Sequence, residues 1–207
     1  MSGRKREFCK TEALEKAMLV FWTKGFLGAS LSDLTTSMGI NKPSLYGAFG
    51  NKEELFISCT QHYLEQHAMP NIELLSAEGL PFTERLSNYL HAVIQIQCHP
   101  HYPKGCFISL CANETASDHM PPQAVTVINS IQSLNEEHLL AFFQAEKECG
   151  NIGAENDEQV LTRYIMTLIH GTASLARSGK SLEDIQTIIK PVINTFQMMA
   201  MSSQPHS

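Results

Sequence analysis

The chain has 207 residues, of which 43% are hydrophobic and 17% charged, with a formal net charge of −6 at neutral pH. This composition is too apolar for a disordered chain, and no apolar run approaches the ~20 residues that cross a bilayer, so a folded protein without a membrane partner is expected. The first ten residues, MSGRKREFCK, lack the apolar stretch of a signal peptide, which predicts a cytoplasmic protein. Averaged over the chain, the acidic balance argues against nucleic acid as a partner.

The charge is unevenly distributed, however. Residues 1–56 carry eight Lys/Arg against six Asp/Glu, a balance of +2. The remaining residues, 57–207, carry seven Lys/Arg against fifteen Asp/Glu, a balance of −8. This asymmetry indicates that the two parts of the chain have different tasks.

Hydrophobic residues recur at helical spacing almost throughout, and strand signals are nearly absent, so the sequence predicts an all-α fold. A first helix is expected from Thr11 to a break at Gly25, and a short second one capped by Ser30. A third begins after Gly39 and Ile40, and a fourth runs from about residue 51 to residue 63.

Longer helices are predicted beyond Pro70. They cover residues 82–97, 104–116, 122–148, 158–177 and 181–201. Pro191 is expected to kink the last of them, because proline removes a helical hydrogen bond. No break is long enough for a flexible linker, so the helices of the two parts are expected to share their packing.

Residues 30–55, SLSDLTTSMGINKPSLYGAFGNKEEL, form the segment with the most specific pattern. Two short helices are joined by a tight turn at Gly39, which adopts positive φ at little cost. Asn41 is a suitable N-cap for the second helix, and Pro43 falls in its first turn, where a missing N–H costs nothing. Small side chains and donors on the exposed face of this helix suit the major groove of DNA.

This pattern resembles the N-terminal domain of the TetR family of bacterial transcriptional regulators. The matching elements, within about the first 60 residues, are Gly25-Phe26, S-L-S-D-L from Ser30, the turn Gly39-Ile40, P-S-L-Y from Pro43 and F-G-N-K-E-E-L from Phe49. The resemblance implies a three-helix helix-turn-helix domain over residues 1–56. It also implies a larger helical domain for effector binding and dimerisation over residues 57–207, with about nine helices in all.

By the same resemblance, a double-stranded DNA operator is the expected partner. Tyr46 would contact a phosphate through its hydroxyl, and Lys52 would do so from the start of the next helix. Residues that would face base edges are Lys42, Pro43, Ser44, Ala48 and, from the preceding helix, Ser32. The N-terminal residues Arg4, Lys5 and Arg6 would form an arm on the DNA backbone or in a minor groove.

The resemblance also implies a homodimer formed by the last two helices, which would place two reading helices ~34 Å apart on a palindromic operator. From the residues alone, the apolar faces of these helices fit an intramolecular core equally well. An effector cavity is implied for the rest of the body. Its candidate lining residues are aromatic or polar groups on apolar faces: His62, Tyr63, His91, Phe107, Asn113, Phe142, Phe143 and His170.

The six cysteines of the chain suggest a second kind of sensing. Cys106 lies near the start of a predicted helix and two residues after Lys104, and both features favour a reactive thiolate. Some TetR-family sensors of electrophiles or oxidants resemble this chain in carrying Gly-Cys here. Alternatively, Cys106 and Cys111 are small buried hydrophobes on one helix.

The sequence therefore predicts a transcriptional repressor that a small-molecule or thiol-reactive effector releases from its operator. One alternative is a metal-responsive regulator that binds copper or zinc through Cys98, His99, His101 and Cys106, although their spacing matches no recognised metal motif. Another is a helical small-molecule-binding protein without DNA binding, which the presence of Tyr46 and Lys52 disfavours. Catalytic and phosphate-loop motifs are absent from the sequence, so neither enzymatic activity nor a cofactor is expected.

Overall fold

A computed structural model describes the backbone of residues 9–202 and the side chains of residues 9–200. The predicted N-terminal arm of Arg4, Lys5 and Arg6 lies outside the described residues. Within residues 9–202 every regular element is helical, which confirms the all-α prediction. None of the helices in this range is long and apolar enough to span a membrane.

The chain forms a succession of α-helices joined by short turns. They are α1 (Lys10–Gly28), α2 (Leu31–Met38), α3 (Lys42–Phe49), α4 (Lys52–Tyr63), α5 (Met69–Ile72), α6 (Phe82–Gln97), α7 (Phe107–Ala112), α8 (Pro122–Glu148), α9 (Glu158–Arg177), α10 (Leu182–Gln186) and α11 (Ile189–Ser202). A π-helical turn, Leu64–Ala68, joins α4 to α5, and a 3-10 turn, Glu73–Ser76, follows α5. If α4 is counted with α5, and α10 with α11, the described residues contain nine helices, as expected.

Local capping explains where the short N-terminal helices begin. The Ser30 hydroxyl accepts from the Asp33 N–H, and the Asp33 carboxylate accepts in return from the Ser30 N–H, which completes a capping box at α2. Asn41 caps α3 by accepting from the Ser44 N–H at 2.9 Å. Gly39 adopts the predicted left-handed conformation, with φ 69°, between these two helices.

Three details differ from the sequence prediction. Helix α7 begins later than predicted because Gly105 has φ 86°, a conformation that no α-helix accommodates. The last helix is divided rather than kinked, with a break between Gln186 and Ile189. Pro191 has no N–H to donate to the carbonyl of Thr187, so the helical hydrogen bond that would span this break is missing. The π-helical continuation of α4 was not predicted.

Two clusters of buried side chains form the interior. The first includes residues from α1 to α4 together with α7 and the start of α8, and its largest members are aromatic, among them Phe21, Trp22, Phe56 and Phe107. It therefore confirms that the two parts of the chain share their packing. The second cluster joins α6, the second half of α8 and α9 to α11. The division at residue 56 stays a prediction, and α4 passes through it.

The cap of α3 gives a test of the local structure. Replacing Asn41 by Ala removes the acceptor for the Ser44 N–H, and we expect a loss of about 1 kcal/mol in the free energy of unfolding. Asn41→Asp keeps the acceptor and should stay close to the wild type. Urea unfolding followed by circular dichroism measures both variants, and equal losses in the two would contradict the capping role.

Candidate nucleic-acid interface and body cavity

Helix α3 presents a polar, accessible face on one side and apolar anchors on the other. Leu45 and Phe49 are buried in the first cluster, whereas the Tyr46 side chain is 48% exposed. The predicted reading residues Lys42, Pro43 and Ser44 are exposed, as is Ser32 on α2. Ala48 is only partly accessible because it packs against the core. A Cβ added at Gly47 would meet nothing within 4 Å, so the middle of this face is open.

Lys52 takes a position that the sequence did not indicate. Its Nζ lies 4.4 Å from the centroid of the Phe26 ring, over the end of α1. Burial lowers the pKa of this lysine, although the nearby Glu114 carboxylate opposes the shift. The face of the Phe26 ring therefore attracts the Lys52 ammonium and holds it against the end of α1.

The end of α1 is fastened to the body by a carboxylate. Gly25, with φ 73° and ψ 180°, interrupts the helix, and the residues after it begin a new turn with unpaired N–H groups. The Glu114 carboxylate, just beyond α7, accepts from the N–H of Phe26 at 2.7 Å and from that of Leu27 at 3.2 Å. A hydrogen bond to an ionised acceptor is stronger than one between neutral groups, so this contact is a firm attachment.

A second attachment lies one turn earlier, at Trp22. Its indole Nε1–H donates to the carbonyl oxygen of Gly105 at 3.2 Å, and its own carbonyl accepts from Arg177, the last residue of α9, at 3.1 Å. The residue after Gly105 is Cys106. The body segment that contains this cysteine therefore touches α1 directly.

A cavity of about 80 Å³ lies in the body among α4, α5, α6, α7, α8 and α9. Three of the predicted sensing residues line it: Tyr63, Cys106 and His170. The His170 Nδ1 is paired with the Ser109 hydroxyl at 2.8 Å. A wider groove outside α7 and α9 shares Cys106, Ser109 and His170 with the cavity.

The other predicted sensing residues do not line this cavity, and several of them are engaged by nearby groups. His62 is paired with Glu15 at 2.8 Å, and His91 with the backbone carbonyl of Ser87 at 2.8 Å. Phe107 packs edge-on against Phe56 inside the first cluster. The remaining three are Asn113, exposed on the outer groove, and Phe142 and Phe143, both in the second cluster.

The cysteines differ in access. Cys106 is the N-cap of α7 and half-buried, and its Sγ lies 3.6 Å from the Tyr63 hydroxyl oxygen. Cys111 is fully buried, and burial raises its thiol pKa well above the ordinary value, so it stays protonated. The Lys104 ammonium donates to the carbonyl of Cys98 at 2.6 Å.

The metal alternative finds no support in the described part of the chain. Within residues 9–200, no three His, Cys, Asp or Glu side chains converge as a metal site requires. His99 packs against Tyr102 with ring centroids 4.6 Å apart, and Cys98 is buried.

Among the cavity residues that the sequence did not indicate are two buried polar ones, His67 and Gln97. Both are more than nine-tenths buried, at 7% and 2% exposure. His67 lies in the π-helical turn, which turns its ring towards Trp22, Tyr63 and Tyr102. The sequence spacing could have indicated both residues. His67 follows Tyr63 by four positions, and Gln97 extends the buried stripe of α6.

His67 gives a prediction about pH. Burial lowers the pKa of its imidazole below 6.5, so protonation disfavours the folded state. The stability contributed by the neutral ring is present above pH ~6.5 and is lost as the pH falls through the lowered pKa. Between pH 7.5 and pH 5, urea unfolding should show a larger loss in the free energy of unfolding for the wild type than for His67→Phe. The control is His119→Phe, which replaces an exposed histidine and should lose as much stability as the wild type.

Similarity to known proteins agrees with this architecture. A family model described as "Bacterial regulatory proteins, tetR family" matches residues 13–59. The HTH-type transcriptional repressor ComR of Escherichia coli K12 is 30% identical over 190 residues, which cover 90% of this chain and 88% of ComR. The repressor BdcR of the same organism is 26% identical over 186 residues, or 88% of this chain and 86% of BdcR.

A solved structure extends the similarity to the whole fold. A cysteine mutant of the TetR family transcriptional regulator CifR, complexed with 26-bp double-strand operator DNA, has a TM-score of 0.80 and 28% identity. The match covers 93% of this chain and 98% of that one. These relatives are named as transcriptional repressors or regulators. The chain belongs to the TetR family of bacterial regulatory proteins.

Proposed function

We propose that this protein is a transcriptional repressor that binds a double-stranded operator as a homodimer and releases it when a small-molecule or thiol-reactive effector acts on the body. The exposed face of α3, anchored by Leu45 and Phe49, is the observation that carries the proposal. It is supported by 30% identity to a named repressor and by 28% identity to a regulator complexed with operator DNA. A regulator of this kind works in the cytoplasm, where bacterial DNA lies.

On the DNA, α3 occupies the major groove. Lys42 donates to a base edge or phosphate, Pro43 and Ser44 lie against the bases, and the exposed Tyr46 hydroxyl donates to a phosphate. Ser32 approaches from α2. Lys52 contributes positive charge from the start of α4, where the helix N-terminus adds to it.

The homodimer uses α9 and α11. Helix α9 is apolar on two sides: Leu161 and Ile165 are buried in the second cluster, whereas Val160 and Tyr164 are 56% and 45% exposed. Leu175 continues the exposed stripe near the end of the helix, at 36% exposure. An exposed apolar stripe of this length fits a second copy of the same helix.

Release follows from the contacts at the end of α1. Cys106 and the cavity lie beside Gly105, whose carbonyl accepts from Trp22, and Glu114 holds the N–H of Phe26. An effector that displaces α7 therefore moves the helix on which α2 and α3 are built. The two reading helices of the dimer then no longer match successive major grooves, and the population shifts to the unbound state.

The docking of α3 is tested with a gel shift on DNA from around the protein's own gene. Lys42→Ala should weaken binding about tenfold and reduce the slope of log affinity against log salt by about 1, since one phosphate or base contact is lost. Tyr46→Phe removes only the hydroxyl and should weaken binding several-fold. Lys180→Ala, an exposed lysine before α10, is the matched control and should bind like the wild type. If the Lys42 and Tyr46 variants both bind at wild-type strength, α3 does not read DNA as described.

The role of Cys106 is tested by alkylation. Iodoacetamide should release the wild type from DNA, because a group added at the Cys106 thiol enlarges a side chain packed against Tyr63. Cys106→Ser should remain bound after the same treatment. Cys149→Ser, which removes an exposed thiol, should be released as readily as the wild type. Release of Cys106→Ser would assign the response to another thiol and leave a non-covalent effector for the cavity.

A further inference from the structure

Two residues that line the cavity each carry a buried polar atom without a hydrogen-bond partner in the described part of the chain. The His67 Nε2 and the Gln97 Oε1 are both inaccessible to solvent, and neither has a hydrogen-bond partner among the described residues. The amide nitrogen of Gln97 donates to the carbonyl of Ile169 at 3.1 Å, which fixes the orientation of the side chain and leaves its oxygen free. A buried polar atom without a partner is costly, and a bound molecule that pairs with it recovers that cost.

The charge of the lining restricts what fits. No Asp, Glu, Lys or Arg is among the described residues that line the cavity, although the body as a whole is acidic. Its two histidines, His67 and His170, have pKa values lowered by burial and are neutral at neutral pH. An ionised molecule would lose its hydration here without gaining an opposite charge, so a neutral one is favoured.

The volume and the surroundings of the cavity restrict the ligand further. The volume of about 80 Å³ is smaller than the ~150 Å³ of a protein cavity that holds benzene, so the molecule has only a few non-hydrogen atoms. Cys106, Ser109, Gln132 and His170 line both this cavity and the outer groove, so they form the wall that separates the two.

From these features we propose that the cavity binds a small neutral molecule carrying both a hydrogen-bond donor, which it gives to Gln97 Oε1, and an acceptor or donor for His67 Nε2. Short amides, alcohols and hydroxy-carbonyl compounds have this chemistry. The inference rests on the proposed function in that it names the class of the effector. His67 and Gln97 are its recognition groups, and the π-helical turn serves to bring His67 to the ligand.

Three probes of four non-hydrogen atoms test the inference on the full chain without DNA. Acetamide is neutral and carries donor and acceptor, acetone is neutral and has no donor, and acetate is charged. Titration up to 100 mM, followed by saturation-transfer NMR, should give acetamide a dissociation constant about tenfold below those of acetone and acetate. A crystal soaked in acetamide should show its nitrogen within hydrogen-bond distance of Gln97 Oε1.

Variants locate the effect. Gln97→Met keeps the length of the side chain but lacks the acceptor, so it should abolish the preference for acetamide over acetone. His67→Phe keeps an aromatic ring against Trp22 and should weaken acetamide binding. Asn113→Ala, on the outer groove only, is the control and should bind like the wild type. If circular dichroism shows that Gln97→Met does not fold, the wild-type probe series and the soaked crystal still test the ligand class.

Equal affinity for the three probes, tighter binding of acetate, or water alone on both atoms after soaking would overturn the inference. These outcomes are separate from those of the gel shift. A chain that prefers acetamide but fails to bind DNA contradicts the proposed repressor and keeps the ligand class. A chain that binds DNA but does not distinguish the probes keeps the proposed repressor and contradicts the ligand class.

Discussion

The attachment of α1 to the body is the contact on which the arrangement of this molecule depends. A helix that stops at a left-handed residue leaves the following amides without acceptors, and in this chain the acceptor comes from 88 positions further along, at Glu114. Only glycine adopts the Gly25 conformation readily, and a Cβ there would also run into the Glu114 carboxylate. The break and its acceptor therefore form one unit, and the orientation of α2 and α3 relative to the body follows from it.

The elements that short-range chemistry determines were predictable. Ser30, Asn41 and Asn51 each begin a helix because a side-chain oxygen meets an amide three residues later, a relation visible in the sequence. The π-helical turn was not, because the apolar spacing of Leu64–Ala68 is compatible with an ordinary helix end. It depends instead on the packing of His67 against Tyr63 and against two residues that are distant along the chain, Trp22 and Tyr102.

The sensing residues were the hardest to predict, for a related reason. A polar side chain on an apolar face has several possible partners, and only the fold selects one. His62 has Glu15 and His91 has the carbonyl of Ser87, so neither remains for a ligand, whereas Gln97 pairs with one end only. The acidity of the body was equally uninformative about its interior, since the cavity lining in the described chain carries none of those acids.

The position of Trp22 has a practical consequence. It is the one tryptophan of the sequence, fully buried, with its ring 5.5 Å from that of Tyr102, 5.0 Å from that of Tyr63 and 5.6 Å from that of His67. Its indole N–H donates to the carbonyl beside Cys106, and its ring packs against two residues of the cavity wall. Indole emission depends on such neighbours, so the tryptophan fluorescence of the unlabelled protein comes from a single site and reports simultaneously on the cavity and on the attachment of α1 to the body.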